Sequence, residues 1–252
     1  MKTKLLALAL ACLAFTACKK DDNDAPKNAK LVKKIISIED GDTTSTSFSY
    51  DANRRINLVK INDGTQIKLA YAGDLLSTIE TINEDDNSKL VVSYDGNKPV
   101  SAVQSVYEDD ELINKFKYTY TLNANNQVKE ILIKDSTNTT VIGKQVITYN
   151  GNNVSKYENY VGDNLVSSQE MTYGSKKSAF FNARVKYILD PSVAEAFSAN
   201  DLLKQKYTFA GQSREITSTY TYDAEGFPTA ADLSDKVLPD GTPSTSKLKF
   251  EY

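Results

Sequence analysis

The side chains able to do chemistry in this sequence are one cysteine and a few runs of carboxylates. Cys18 follows Phe15-Thr16-Ala17 at the close of an apolar run, Leu5 to Phe15, that begins just after Lys2 and Lys4. A helix needs about 20 apolar residues to cross a bilayer, so this run is too short to be an anchor, and residues 1–17 read as an export signal. Small residues at the last two positions let a signal peptidase seat the backbone and leave the Cys18 thiol free for a diacylglycerol. Cys12 lies inside the removed segment, so Cys18 is the only cysteine expected in the mature chain. With its sulfur in a thioether no intramolecular disulfide can form, and stability must come from packing.

The carboxylate runs are Glu84-Asp85-Asp86 and Glu108-Asp109-Asp110-Glu111. Crowded carboxylates could bind Ca²⁺. Neither run has EF-hand or RTX-type spacing, and solvated hairpin tips that keep sheet edges from aggregating account for both. The sequence contains no His. A Ser-His-Asp triad, a Cys-His pair, a His-ligated zinc and an imidazole base are therefore excluded. There is no P-loop and no G-x-G-x-x-G after a strand to cradle a phosphate. No cofactor is expected, and the enzymatic reading left open is a glycosidase-like pair of carboxylates.

Composition narrows the partners. Removing Lys2 and Lys4 from the 30 basic residues leaves 28 against 33 acidic, a net charge near −5 with no basic cluster in sequence. That balance argues against nucleic acid. Lys19-Lys20-Asp21-Asp22-Asn23-Asp24-Ala25-Pro26 lacks periodic apolar residues, so residues 18–30 read as a disordered tether and residues 31–252 as one folded domain. With 40% apolar residues, 15 Tyr and 9 Phe, that domain can build a core.

A repeated strand and turn must position everything else. Alternating apolar and polar residues end on Tyr, then an Asp/Asn/Gly turn leads to a second apolar segment. Instances are Phe48-Ser49-Tyr50-Asp51-Ala52-Asn53, Leu69-Ala70-Tyr71-Ala72-Gly73-Asp74, Val92-Ser93-Tyr94-Asp95-Gly96-Asn97, Ile147-Thr148-Tyr149-Asn150-Gly151-Asn152 and Tyr220-Thr221-Tyr222-Asp223. Tyr50 to Tyr71 is 21 residues, Tyr71 to Tyr94 is 23 and Tyr149 to Tyr173 is 24, one hairpin with its connection per period. The expected fold is all-β: an antiparallel meander of about 12–15 strands built from hairpin repeats of 21–30 residues, with one apolar face. A sheet of that size must curl, close into a barrel or fold into a sandwich, and the sequence does not choose among these.

This pattern resembles the YD repeats of RHS-type proteins. Joined to the lipobox-like Phe15-Thr16-Ala17-Cys18, it looks like Bacteroidetes surface lipoproteins built from YD-like repeats, a family without an assigned molecular role. The likeness runs from about Phe48 to Tyr252. Most copies lack the Gly-Arg that follows the turn in standard YD repeats, and only Arg54-Arg55 comes near it, so a sealed toxin-enclosing shell is not expected. The resemblance implies an outer-membrane lipid anchor at Cys18 with the domain on the cell surface, or alternatively on the periplasmic face. Asp42-Thr43-Thr44 and Asp135-Ser136-Thr137 also resemble a Bacteroidetes O-glycosylation sequon, which would put sugars on Thr43 and Ser136 in exposed loops.

Tyr173 to Tyr222 spans 49 residues, twice the period, and the interval holds Phe180, Phe181, Tyr187 and Asp190-Pro191. Asp190 can cap a helix with Pro191 at its first position, and Val193 and Phe197 lie four apart, so a short helix is expected near 191–204. The insertion reads as a plug over the apolar face, or as a ligand rim made by Phe180, Phe181, Tyr187 and Phe197. The leading functional expectation is a non-enzymatic surface lipoprotein that binds a glycan, a protein or an apolar molecule. A purely structural envelope component and a carboxylate-based glycan-active enzyme stand beside it.

Overall fold

Along Glu111–Leu122, Phe116, Tyr118 and Tyr120 alternate with Lys115, Lys117 and Thr119, and along Ser244–Glu251, Leu248 and Phe250 alternate with Lys247 and Lys249. Period-two alternation gives each strand one face for a core and one for water. The computed structural model describes residues 29–84, 86–135, 140–183, 186, 187, 189 and 198–252. It holds sixteen strands: β1 (Lys34–Glu39), β2 (Asp42–Tyr50), β3 (Ile56–Ile61), β4 (Gln66–Ala72), β5 (Leu75–Ile82), β6 (Asp86–Asp95), β7 (Lys98–Glu108), β8 (Glu111–Leu122), β9 (Val128–Lys134), β10 (Val141–Asn150), β11 (Asn153–Val161), β12 (Asn164–Lys177), β13 (Asn200–Phe209), β14 (Gln212–Tyr222), β15 (Pro228–Leu238) and β16 (Ser244–Glu251). Each pairs antiparallel with the next, and β1 pairs with β16 from Lys34↔Glu251 to Glu39↔Ser246. The meander thus closes into a barrel, which leaves no sheet edge to aggregate.

Two expectations are corrected. The strands number sixteen, above the 12–15 inferred from the repeats, because β13 fills the interval where a period was missing. No helix occurs among the described residues, and Asn200–Lys204, assigned above to a helix, open β13. The open ladders of β12 and β14 each need a partner, and β13 supplies it from Ser167↔Phe209 to Lys204↔Thr217. Sheet hydrogen bonding outweighs the weak helix propensity of that stretch. Pro191 to Phe197, the start of the expected helix, lie outside the described residues, as do Cys18 and Ser136.

The tyrosines explain the repeat. The register slips by a residue immediately before Tyr50, Tyr71, Tyr94, Tyr149, Tyr173 and Tyr222, a bulge repeated around one end of the barrel. Hydroxyls there donate to carbonyls near the start of the preceding strand: Tyr50 to Val32 at 2.7 Å, Tyr71 to Ile56 at 2.8 Å, and Tyr94 to Leu76, Tyr149 to Val128 and Tyr252 to Pro228 at 2.9 Å. Each ring fills the core while its hydroxyl satisfies a carbonyl that the bulge would leave unpaired. We call this the tyrosine end.

Turns at the same end repeat a five-residue design. Asp51 Oδ1 accepts from the Asn53 and Arg55 amides at 2.8 and 3.0 Å, and Asp223 Oδ1 from the Glu225 and Phe227 amides at 2.9 and 3.0 Å. The fourth turn residue has positive φ, 63° at Arg54 and 81° at Gly226. A Cβ on Gly226 would meet nothing within 4 Å, so Gly226→Ala is expected to cost only the left-handed strain, about 1 kcal/mol, read as a small drop in urea midpoint. A loss well above that would mean the turn has a close neighbour.

Inside, the apolar core gathers toward the tyrosine end: Phe48, Ile56, Val59, Leu69, Val92, Val128, Ile131, Ile147, Val154 and Met171 are buried. Outside, the wall is mixed, with charged and polar residues interspersed with aliphatics such as Val91, Val103 and Val141. Lys60, Lys68, Lys89, Lys115, Thr119, Glu170, Lys204, Thr217, Lys247 and Lys249 occupy the positions that alternate with the core.

Candidate functional site

One end of the barrel is filled and the other is not. Between β12 and β13 the chain crosses the tyrosine end. Phe180, buried, meets Phe48 edge-on at 5.1 Å, Tyr187, also buried, lies 6.4 Å from Tyr94 and donates to the Asn97 carbonyl, and Leu189 is buried too. Phe181 is 48% exposed and leans edge-on against Phe227 at 6.4 Å. The Asn182 side-chain amide donates to the Lys30 carbonyl at 2.9 Å. Phe180, Phe181 and Tyr187 therefore contact β2, the turn before β15, and β6 respectively, spread across the end and not gathered at one point. Phe197 lies outside the described residues.

The base of the crossing is pinned by Asp201, which is 3% exposed. Its Oδ1 accepts from the Lys176 amide at 2.9 Å and its Oδ2 from the Tyr222 hydroxyl. Gly174 makes room: a Cβ there would stand 2.5 Å from Asp201 Oδ2. Ser198 donates to the Tyr173 hydroxyl at 2.8 Å, so the repeat's tyrosine serves the insertion instead of the preceding strand.

Toward the far end the inward face turns polar. Gln145 Nε2 donates to the Tyr157 hydroxyl at 3.1 Å and to Asn159 Oδ1 at 3.2 Å, and Asn159 Nδ2 to Ser167 Oγ at 2.8 Å. Tyr118 donates to Gln104 Oε1 at 2.5 Å. Arg214 grips Asp235 with a two-pronged ion pair. Cross-strand pairing aligns Tyr157, Gln169, Tyr207, Arg214 and Val237 in one row and Asn159, Ser167, Phe209 and Gln212 in the next. Within these rows Tyr207 is 40%, Phe209 55% and Val237 51% exposed although they point inward. Sixteen strands enclose more space than their side chains fill, and the inward Arg214, Ile216, Ser218, Tyr220 and Tyr222 are all only half-buried. The inward face near the far end is therefore accessible, with the Tyr207 and Phe209 rings open among amides.

Carboxylates ring the mouth. Glu39 and Asp42, and Asp86 and Glu108, oppose each other at inward positions, and Glu111 joins them across the turn at Asp109 and Asp110. The acidic runs read from the sequence thus sit at hairpin tips. Among the described residues no three carboxylates or other ligands group to hold a metal. Thr43 is exposed on the outer wall of β2, not in a loop, and its carbonyl accepts from Asn62 Nδ2 at 3.3 Å.

Among the described residues, the carboxylates with a clear shift are lowered. Hydrogen bonding to Lys89 lowers Glu80, hydrogen bonding to Lys30 lowers Asp223, and for Asp51 burial pushes upward but the hydrogen bonds of Arg55 prevail. A glycosidase acid needs the opposite shift.

Sequence reasoning missed Gln145, Asn159, Gln169, Tyr207, Phe209, Arg214 and Asp235. A signal was present in Ser167-Ser168-Gln169-Glu170-Met171, where the inward positions pass from Met171 through Gln169 to Ser167 toward the turn before β12 and so lose apolar character.

No protein-family model and no curated protein matches the chain. Two solved structures share its fold. A porin-like protein from Bacteroides uniformis superposes with a TM-score of 0.55 at 13% identity, over 87% of this chain and 97% of its own. A porin-like protein from Bacteroides vulgatus gives 0.52 at 13% identity, over 88% and 98%. The closed antiparallel barrel of this chain is therefore similar, over nearly its whole length, to the barrels of these Bacteroides porin-like proteins.

Proposed function

We propose that this chain is a non-enzymatic envelope protein whose barrel stands in water, tethered to the outer membrane through a lipid on Cys18, and takes a neutral glycan into its lumen. The polarity of the outer wall carries the first part. A membrane-spanning barrel shows lipid an apolar band about 25 Å tall, and a lysine at mid-bilayer costs roughly 2–4 kcal/mol. Here Lys68, Lys89, Lys117, Lys156, Lys206 and Lys247 occupy outward positions spread round the wall, interspersed with aliphatics such as Val91 and Val103. Lysines so distributed break any continuous apolar band, so membrane attachment falls to the tether. The lumen supports the rest: Tyr207 and Phe209 offer faces for sugar rings beside the amides of Gln145, Asn159 and Gln169, and the carboxylate mouth disfavours anions.

Two measurements test this. In detergent phase partition of cell envelopes the native protein should enter the detergent phase and the Cys18→Ser protein the aqueous phase. A Cys18→Ser protein that still behaves as integral would overturn the tethered reading. Across a panel of neutral oligosaccharides followed by calorimetry, Tyr207→Ala with Phe209→Ala should weaken binding at least about tenfold with little change in melting, since both rings are exposed. Unchanged binding would remove the lumen as the site.

A further inference from the structure

Opposed charges on the outer wall follow a rule. Lys68 faces Glu80 and Glu80 faces Lys89. Lys156, Glu170, Lys206, Glu215 and Lys236 alternate in sign straight across five strands. Lys247 faces Asp232, and Lys34 faces Glu251. One pair breaks the rule: Lys117 lies directly opposite Lys134. Like charges so placed repel, and the fold gains nothing from them.

The neighbourhood deepens the exception. Lys115 is two residues from Lys117 on the same face of β8, and Lys144, opposite Leu132, lies diagonally from Lys134. No one of the four makes an ion pair among the described residues, although lysines elsewhere on the wall do, such as Lys89 with Glu80 at 2.6 Å and Lys204 with Glu215 at 2.7 Å. The Lys144 ammonium lies 4.6 Å from the centre of the Tyr160 ring, also outward. Solubility alone would be served by the alternating pattern used on the other strands.

We propose that the outer wall of β8–β10 binds an acidic polysaccharide. The backbone positions that carry these lysines lie about 5 Å apart across strands and about 7 Å apart along them, so their ammonium groups can reach charges spaced like successive sugars in a linear chain. Lysines are point charges on flexible stems, suited to following such a chain, where a fixed planar anion would call for arginine. The Tyr160 ring supplies a face beside the charges.

The tether distinguishes this partner from the bilayer. The chain from Cys18 reaches the barrel beside β1, eight strands round a ring of sixteen from β9 and so on its opposite side. A sixteen-strand barrel is about 30 Å across. The eleven residues from Cys18 to residue 29 reach at most about 40 Å when fully stretched, so an anchor at Cys18 restrains the β1 side of the barrel and not β8–β10. The choice of polymer over bilayer rests on the tethered reading; the charge pattern does not.

The test uses the full chain with Cys18→Ser, so that no lipid binds for it. Polygalacturonate on a column should retain it at low salt, release it as salt rises, and lose it about tenfold or more with Lys117→Glu and Lys134→Glu together. Neutral dextran should not retain it, and Lys206→Glu, which breaks an alternating row, should leave retention unchanged. The double variant exchanges one like-charge pair for another and sets it beside Lys115 and Lys144 of opposite sign, so its melting temperature should not fall. No retention, or retention indifferent to Lys117 and Lys134, overturns the proposal. So does salt-sensitive binding to phosphatidylglycerol vesicles without binding to polygalacturonate, which would make the bilayer the partner. Detergent partition reads the tether separately, so its failure is distinguishable from failure at the lysines.

Discussion

Asp201→Ala is expected to lower the unfolding free energy by about 3 kcal/mol and the melting temperature by roughly 6–12 °C. The carboxylate is 3% exposed and accepts both the Lys176 amide and the Tyr222 hydroxyl. Removing it leaves the Lys176 amide and the half-buried Tyr222 hydroxyl without their acceptor, at about 1 kcal/mol each, and opens a void over Gly174. Because Lys176 is on β12, Asp201 on β13 and Tyr222 on β14, the loss reaches three strands and the foot of the plug. Asp201→Asn keeps an acceptor oxygen and should lose about half as much. Tyr222→Phe combined with Asp201→Ala should cost less than the sum of the two alone, since both delete one bond. Gly174→Ala should also destabilise, because its Cβ would press on a carboxylate held at both oxygens. Urea midpoints decide: an Asp201→Ala protein that unfolds at the native midpoint would mean the plug is anchored elsewhere.

The strands were legible because their information is local. Phe116, Tyr118 and Tyr120 alternate with polar residues within one segment, and an Asp-, Asn- or Gly-containing stretch after each repeat tyrosine, such as Asp95-Gly96 and Asn150-Gly151, gives the turn. Closure was not legible, because Ile35 and Phe250 lie at opposite ends of the sequence and nothing in either names the other. β13 was misread for the same reason. Asn200–Lys204 has no strong strand pattern of its own and is a strand because β12 and β14 leave it a place. The plug could be inferred from a broken rhythm, but its contacts with Phe48, Tyr94 and Phe227 could not.

The lumen and the lysine wall show a second limit. Both are deviations, amides where a filled barrel would have aliphatics and a like-charge pair where the wall otherwise alternates, and a deviation is visible only once the register defines the rule. Lys117 and Lys134 are 17 positions apart in a sequence with no basic cluster. They become neighbours only through the β8–β9 register, which sets them face to face. The two proposed sites would also divide by charge, the carboxylate mouth favouring neutral ligands and the outer lysines acidic ones.

Above pH 10 the barrel should lose stability steeply, because its repeat is built on buried phenols. Burial raises Tyr94, Tyr149 and Tyr252 well above the ordinary tyrosine value, and it raises Tyr222 with help from the Asp201 hydrogen bond and charge. The unfolded chain ionises these groups near pH 10 while the folded barrel keeps them protonated, so above that pH the unfolded state binds fewer protons and is favoured. Their contribution is intact below pH 10 and falls as pH rises, by about 1.4 kcal/mol per pH unit for each phenol still protonated in the fold. Four together give at most roughly 5 kcal/mol per unit, and less once solvent screening of the more open Tyr222, Tyr252 and Tyr94 is counted, a slope that still unfolds a domain of ordinary stability within a few pH units. Urea midpoints from pH 9 to 11 should trace that slope, and tyrosinate absorbance from these four should appear with unfolding and not before it. Tyr149→Phe separates the two roles of the ring: at pH 7 it should cost about 1 kcal/mol for the lost bond to the Val128 carbonyl, while above pH 10 it should flatten the slope by about a quarter. A native protein whose midpoint stays level through pH 11 would show that the hydroxyls ionise in place, and the tyrosine ladder would then not be what closes each repeat.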